Sequence, residues 1–247
     1  RLFAEGAGER RRFFDRLVMG FDPAHGTRAS AYDRALRERN RLLANEIFDD
    51  AWLGGLESQM AEHGVALAAA RVETIARLRG ALDAAPSSVP SRALVTLEGT
   101  LEAALAGLAA VDVEDGFRAT LKDMRGRDAS AGRALDGPHR SDLLVRHAEK
   151  DREARQCSTG EQKALLIGMV LANARLLSAM GRPPLLLLDE PGLGVDPLSR
   201  RELWQILDDF RRQGTTIVLT TSYMDEADRC DRVAFLDRGQ LMALGRP

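Results

Sequence analysis

The residues best placed to do chemistry follow a short apolar run. Leu185, Leu186, Leu187 and Leu188 are succeeded at once by Asp189 and Glu190. A continuous apolar run of this kind reads as a central strand covered on both faces. It would deliver two carboxylates to its C-terminal lip, where open α/β sheets bind ligands. In a nucleotide site Asp189 would hold a magnesium ion through water, and Glu190 would orient or deprotonate the attacking water. An ordinary strand closing on a solvated acidic turn would have the same local sequence. A second cluster lies upstream, where Cys157, Ser158, Thr159, Gly160, Glu161 and Gln162 lead into an apolar-faced segment. Small residues at a helix start let backbone N–H groups approach a phosphate, and the helix N-terminus adds partial positive charge. Ser158 could equally be a plain N-cap.

Periodicity indicates the elements that must position these groups. A helix over Glu161–Leu177 has rows Leu165, Met169, Leu176 and Leu166, Val170, Leu177, a broad apolar face suited to burial against a sheet. Asp196 and Pro197 form an N-cap and first-turn pair, and Leu203, Ile206, Leu207 and Phe210 then share one helix face. Thr215–Thr221 and Arg232–Leu236 supply two further strands, so the part from Cys157 onward has the alternation of a parallel α/β layer. Before it, Glu9–Ala81 reads as a helical hairpin or bundle, with Leu36, Leu42, Leu43 and Ile47 at helical spacing. Ala85–Pro90 is a linker by composition, Arg92–Leu97 a strand, and the stretch after Ala110 a polar region punctuated by glycine and ending in Gly137, Pro138, His139 and Arg140.

Together with Gly194, Val195, Asp196 and Pro197, these segments resemble the signature, Walker B and D-loop series of ABC-type ATPases, including the SMC and RecF branch. The resemblance implies a partial ABC-type P-loop ATPase head of α/β class, a parallel sheet with flanking helices, joined to a mostly helical lobe. It implies ATP and Mg2+ as cofactors, with Ser158, Thr159, Gly160, Glu161 and Asp196 binding nucleotide, Asp189 carrying the metal through water, and Glu190 as the catalytic residue. Gly137–Leu143 and Cys157–Leu166 look like the RecF family of DNA replication and repair ATPases, as do Ala35–Asn40, Arg92–Leu94 and the Gly132-Arg133 turn. That family implies a cytoplasmic protein that binds ATP and single-stranded or gapped DNA, pairs head to head in an ATP-dependent dimer, and works with recombination mediators. No residue is singled out for DNA. Beyond Glu190, the segments Glu190–Pro197, Tyr223–Val233 and Leu236–Leu241 look more like ATP-binding subunits of ABC transporters. The expected organisation is therefore a helical lobe over 1–110 and the C-terminal half of a head over 111–247, with the resemblance changing near 190.

Two departures bear on activity. A P-loop needs a Gly-Lys pair, and Lys122, Lys150 and Lys163 follow Leu121, Glu149 and Gln162 instead. The transporter pattern places histidine after Thr220-Thr221, where this chain has Ser222, a hydroxyl able to bond a phosphate oxygen or water. The rival readings are a transporter ATPase subunit docking a membrane partner and a catalytically inactive fragment.

Composition bounds the rest. At 247 residues with a formal charge of -2, the chain has no uniformly basic coat, and Arg10, Arg11 and Arg12 read as a solvated helix face. Cys157 and Cys230 are used as in a reducing compartment. No apolar stretch reaches the roughly 18 residues of a membrane span, and Arg1–Glu5 lacks the order of a signal peptide, so a cytosolic location without membrane insertion is expected. A start at Arg1 without methionine suggests a fragment or processed product. His139 belongs to the RecF-like turn, whereas His25, His63 and His147 are expected to be solvated.

Overall fold

A computed structural model describes residues 2–84 and 92–247 of the chain, which leaves the expected linker at 85–90 outside the described residues. Three helices come first: α1 (Ala7–Met19), α2 (His25–Ala44) and α3 (Asp50–Asp83). The carboxylate of Asp49 starts α3 by accepting the Trp52 N–H at 2.7 Å. Then come β1 (Ala93–Glu98), α4 (Thr100–Ala104), α5 (Ala110–Asp123), α6 (Arg125–Ala131), β2 (Asp142–His147) and β3 (Arg152–Glu153). The last part holds α7 (Thr159–Ala179), β4 (Leu186–Asp189), α8 (Pro197–Arg212), β5 (Ile217–Thr220), α9 (Met224–Ala227), β6 (Val233–Asp237) and β7 (Gln240–Gly245).

Three hydrophobic cores organise these elements. In the first, Tyr32, Leu42, Leu53, Met60, Val65, Phe117 and Leu121 join α2, the N-terminal part of α3 and α5 into a helical lobe. In the second, Phe14 and Val18 of α1 meet Ile75 and Leu78 of α3, Val95 of β1, Val145 of β2 and Leu165 and Met169 of α7. In the third, Leu171 and Ala174 of α7 meet Leu186 of β4 and Leu203, Trp204, Leu207 and Phe210 of α8. Two long helices thus tie the molecule together, α3 spanning the first two cores and α7 the last two.

The packing departs from the expected organisation in several places. The region after Ala110 contains α5 and α6, whose Val113, Phe117, Leu121 and Asp128 are buried in or beside the helical lobe. The lobe core crosses residue 110, while β1 leaves the lobe to pair with β2 from Ala93↔His147 to Glu98↔Asp142. The sheets are an antiparallel β1-β2-β3, a parallel pair β4-β5 and an antiparallel hairpin β6-β7. A broad parallel sheet is therefore represented among the described residues by two strands, and β4 is not covered on both faces: Leu186 is buried while Leu187 is 70% exposed. Ile47 lies beyond α2 and is exposed. The second strand of the final hairpin was not expected; Arg238 and Gly239 both have positive φ at its two-residue turn, the geometry that suits the twist of paired strands.

Buried ions hold the lobe and its junction. Arg39, fully buried, donates to Glu57 at 3.0 Å, Asp128 at 2.7 Å and the Leu121 carbonyl at 2.5 Å. Arg71 donates to both carboxylate oxygens of Asp15 at 2.8 and 2.9 Å and to the Pro138 carbonyl at 2.7 Å. The turn containing Pro138 needs glycine: Gly137 has φ 128, and a Cβ there would lie 2.4 Å from the Tyr32 hydroxyl. That hydroxyl meets Nδ1 of His139 at 2.8 Å. The motif Gly137–Arg140 is thus a packing anchor between the helical lobe and β2. Arg10 and Arg11 are also not solvated as expected, since Arg10 grips Asp142 at 2.8 and 2.6 Å and Arg11 donates to the Ser141 carbonyl at 2.7 Å. His25 and His147 are buried, His25 bonding Asp15 at 2.9 Å. Among the described residues, no helix is long and apolar enough to cross a membrane.

Candidate nucleotide-facing site

The site is built where α7 begins and where β4 and β5 end. Ser158 is the N-cap of α7, its hydroxyl accepting the Glu161 N–H at 3.4 Å while the Glu161 carboxylate accepts the Ser158 N–H at 2.9 Å. This capping box satisfies two backbone donors at the start of the helix. Lys150 also grips Glu161, and with the Ser158 N–H it holds that carboxyl down to about 2. Ser158 and Thr159 are exposed.

On the strand side, β4 and β5 run parallel with Asp189 opposite Thr220. That register brings the Thr220 hydroxyl onto the Asp189 carboxylate. Glu190 follows with φ 45, its N–H donating to the Thr220 carbonyl at 3.0 Å. Its carboxylate oxygen Oε2 accepts both the backbone N–H and the hydroxyl of Ser222 at 3.2 Å. Asp189, Glu190 and Ser222 therefore meet on one lip. Pro191 and Gly192 then turn inward and are buried. A Cβ at Gly192 would fall 2.0 Å from Oε1 of Glu226, a buried carboxylate that also accepts Trp204 Nε1 at 3.3 Å and the Thr221 hydroxyl at 2.6 Å.

The two halves touch at the glycines. A Cβ on Gly160 would stand 2.5 Å from the Gly194 carbonyl oxygen, so the α7 start and the turn before α8 meet backbone to backbone. Asp196 closes that turn, its carbonyl accepting the Arg200 N–H at 2.9 Å as α8 starts. Lys163 crosses the same gap, its ammonium donating to the carbonyls of Glu190 and Leu193. Burial lowers the Lys163 pKa, and the carboxylates of Glu190, Asp189 and Glu226 oppose that shift. The Cys157 thiol is pushed up by burial and by Glu161, which leaves it a poor nucleophile. Beside Asp189 lies a cavity of about 400 Å³ whose walls include Arg12, Phe13, Arg16, Lys163 and Leu187.

Three contributors to this arrangement escaped the sequence reading. Lys163 entered as a lysine outside a Gly-Lys pair and as part of the RecF-like Cys157–Leu166 segment, with no role of its own, although it lies one helical turn after Gly160. Thr220 and Glu226 entered only as parts of the transporter-like pattern, without a role, because their partners are Asp189 and Trp204 in distant segments. Among the described residues no three His, Cys, Asp or Glu side chains converge as a metal cage. The oxygen set of Asp189 and Thr220 suits a mostly hydrated Mg2+, which takes only one or two protein carboxylates.

The chain matches, over residues 11–221, the family model described as "AAA domain, putative AbiEii toxin, Type IV TA system". It is 50% identical over 232 residues to the DNA replication and repair protein RecF of Mesorhizobium japonicum, covering 92% of this chain and 61% of that protein. The protein of the same name from Rhizobium rhizogenes is 46% identical over 245 residues, covering 98% of this chain and 63% of the relative. That match runs almost throughout the chain and so extends past residue 190. The chain spans somewhat over 60% of the length of these relatives. A solved structure titled as the recombination mediator protein RecF with ATPrS, in the RecFOR pathway, shares the fold at a TM-score of 0.71 and 19% identity, covering 91% of this chain and 60% of that one.

Proposed function

We propose a function from one premise: the chain belongs to the AAA-domain family and, within it, to the RecF proteins of DNA replication and repair. It acts as the signature, Walker B and D-loop part of an ATP-dependent head in recombinational gap repair. Its partners are DNA, recombination mediators and a second head. The observation that carries this reading is the meeting of Gly160 with the Gly194 carbonyl beside the Glu190–Ser222 contact, which brings the start of α7 and the lip of β4 together.

Each residue's task follows from its surroundings. Ser158, Thr159 and Gly160 present the N-terminal N–H groups of a 21-residue helix, an anion-seeking surface for the γ-phosphate held by the opposite head. Glu161 completes the capping box and keeps that first turn in shape. Asp189 and Thr220 would hold Mg2+ through water, and the ion when bound neutralises phosphate charge. Glu190, oriented by the two donors of Ser222, directs a water at the phosphate. Asp196 starts α8 at the head-to-head seam. The cytoplasm is the compartment that this role requires.

With no Gly-Lys pair, the 247 residues contain no P-loop of their own for the Walker B pair to act on. The reading is therefore tested in trans. Sedimentation of this chain mixed with the full-length Mesorhizobium japonicum relative should show a heterodimer with ATP and separate species without it. Equal association in both conditions, or none in either, would contradict it.

A further inference from the structure

Glu190 adopts φ 45, a left-handed conformation that a non-glycine residue keeps only where its surroundings over-determine it. Its carbonyl accepts two donors, the Leu193 N–H at 3.1 Å and the Lys163 ammonium. The same ammonium donates to the Leu193 carbonyl at 3.1 Å, so one side chain clamps both ends of the turn. Lys163 belongs to α7, the helix that begins just after the Ser158 cap with exposed Thr159 and half-buried Gly160. One helical turn earlier, Gly160 leaves no room for a side chain against Gly194. The first turns of α7 and the turn after β4 are therefore joined twice, once by backbone packing and once by a charge-assisted pair of hydrogen bonds.

From these contacts we propose that Lys163 is a positioning residue. It fixes the Glu190–Leu193 turn against α7 and so sets where the Glu190 carboxylate stands. A ligand that moves the Ser158–Gly160 loop would then move Glu190 of the same head through Lys163, coupling the two half-sites mechanically. The functional meaning of this coupling rests on the reading of Glu190 given above, whereas the positioning itself needs neither nucleotide nor partner. The competing account is that the turn holds itself through its own Leu193 N–H and through Thr220, with Lys163 merely covering it.

Amide hydrogen exchange on the full chain separates the two accounts. The reporters are the Leu193 N–H, bonded to the Glu190 carbonyl, and the Ser222 N–H, bonded to the Glu190 carboxylate and untouched by Lys163. Lys163→Met keeps the aliphatic stem and removes the donors. It should speed exchange at both reporters about tenfold, the scale of a lost hydrogen bond to a charged group, while Met169–Ala172 within α7 keep their protection. Lys163→Arg, which retains a cation with several donors, should restore most of it. Unchanged exchange at Ser222 in Lys163→Met would overturn the proposal, as would acceleration spread through α7 or an Arg variant as fast as Met. Should Lys163→Met fail to fold, Lys163→Gln serves in its place, with acceleration at Ser222 expected and an unchanged rate overturning the idea. Absence of ATP-dependent association would count against the functional reading alone, because the exchange measurement uses no ATP.

Discussion

Removing the Arg39 guanidinium should destabilise the helical lobe severely. Arg39→Met preserves much of the aliphatic volume and withdraws three hydrogen bonds, to Glu57, Asp128 and the Leu121 carbonyl. The consequences are unequal. Glu57 keeps Arg125, which holds it at 2.8 and 2.6 Å, whereas among the described residues Asp128 keeps the Leu135 N–H at 3.0 Å on its other oxygen. The variant thus leaves one buried carboxylate nearly uncompensated, with Asp128 only 2% exposed. Breaking a buried ion pair from one side costs about 3–5 kcal/mol. For a chain of this size that lowers Tm by roughly 6–20 °C. Thermal unfolding followed by circular dichroism at pH 7 measures it. Arg39→Met combined with Asp128→Asn should recover a large part of the loss, because the stranded charge is gone. A single variant melting within about 2 °C of the parent, or a double variant worse than the single, would refute the assignment of the cost to Asp128.

Three further outcomes follow from the same geometry. Burial would raise the Asp15 pKa, but the hydrogen bonds from His25 and Arg71 outweigh it and hold the carboxyl at about 2, below its ordinary 3.8. Its contribution to stability is therefore fully present above about pH 4 and lost as the pH falls toward 2, and Asp15→Asn should flatten the denaturant midpoint across that window. Gly160→Ala puts a methyl 2.5 Å from the Gly194 carbonyl, so it should weaken ATP-dependent association with the full-length relative severalfold, read by sedimentation, with the melting of the helical lobe unchanged. The chain alone should show little Mg-dependent ATP turnover, and turnover abolished by Glu190→Gln would argue against that expectation.

What was legible in the chain was local. The leucine run ending in Asp189 and Glu190, the Ser158 cap and the Asp196-Pro197 helix start each announce themselves within a few residues, and their elements formed close to the expected bounds. What was not legible depended on distant partners. Arg10 and Arg11 look like a solvated run until β2 brings Asp142 and Ser141 to them. His25 reads as polar until Asp15 and the packing of α1 enclose it. In α5 the stripe Val113, Phe117, Leu121 was present at helical spacing, but Gly116 and its charged neighbours masked it. The covering of β4 was misjudged for the opposite reason. Leu187 is as apolar as Leu186, and which of them is buried is decided by α7 and α8 on one face rather than by the strand itself.

The central claim is that the exposed start of α7 meets the nucleotide of an opposite head, and Ser158 tests it most directly. Ser158→Ala removes the cap hydroxyl, at a cost of about 1 kcal/mol in helix stability. On the proposed reading it would also remove a bond to phosphate worth on the order of 1.5–3 kcal/mol. Ser158→Arg fills the space where phosphate and backbone must meet. Sedimentation of each variant with the full-length relative, with and without ATP, should show heterodimer for the parent, roughly ten- to hundredfold weaker association for Ser158→Ala and none for Ser158→Arg. An ATP-dependent heterodimer that forms equally well with Ser158→Arg would contradict the claim and leave the α7 start with a capping role alone.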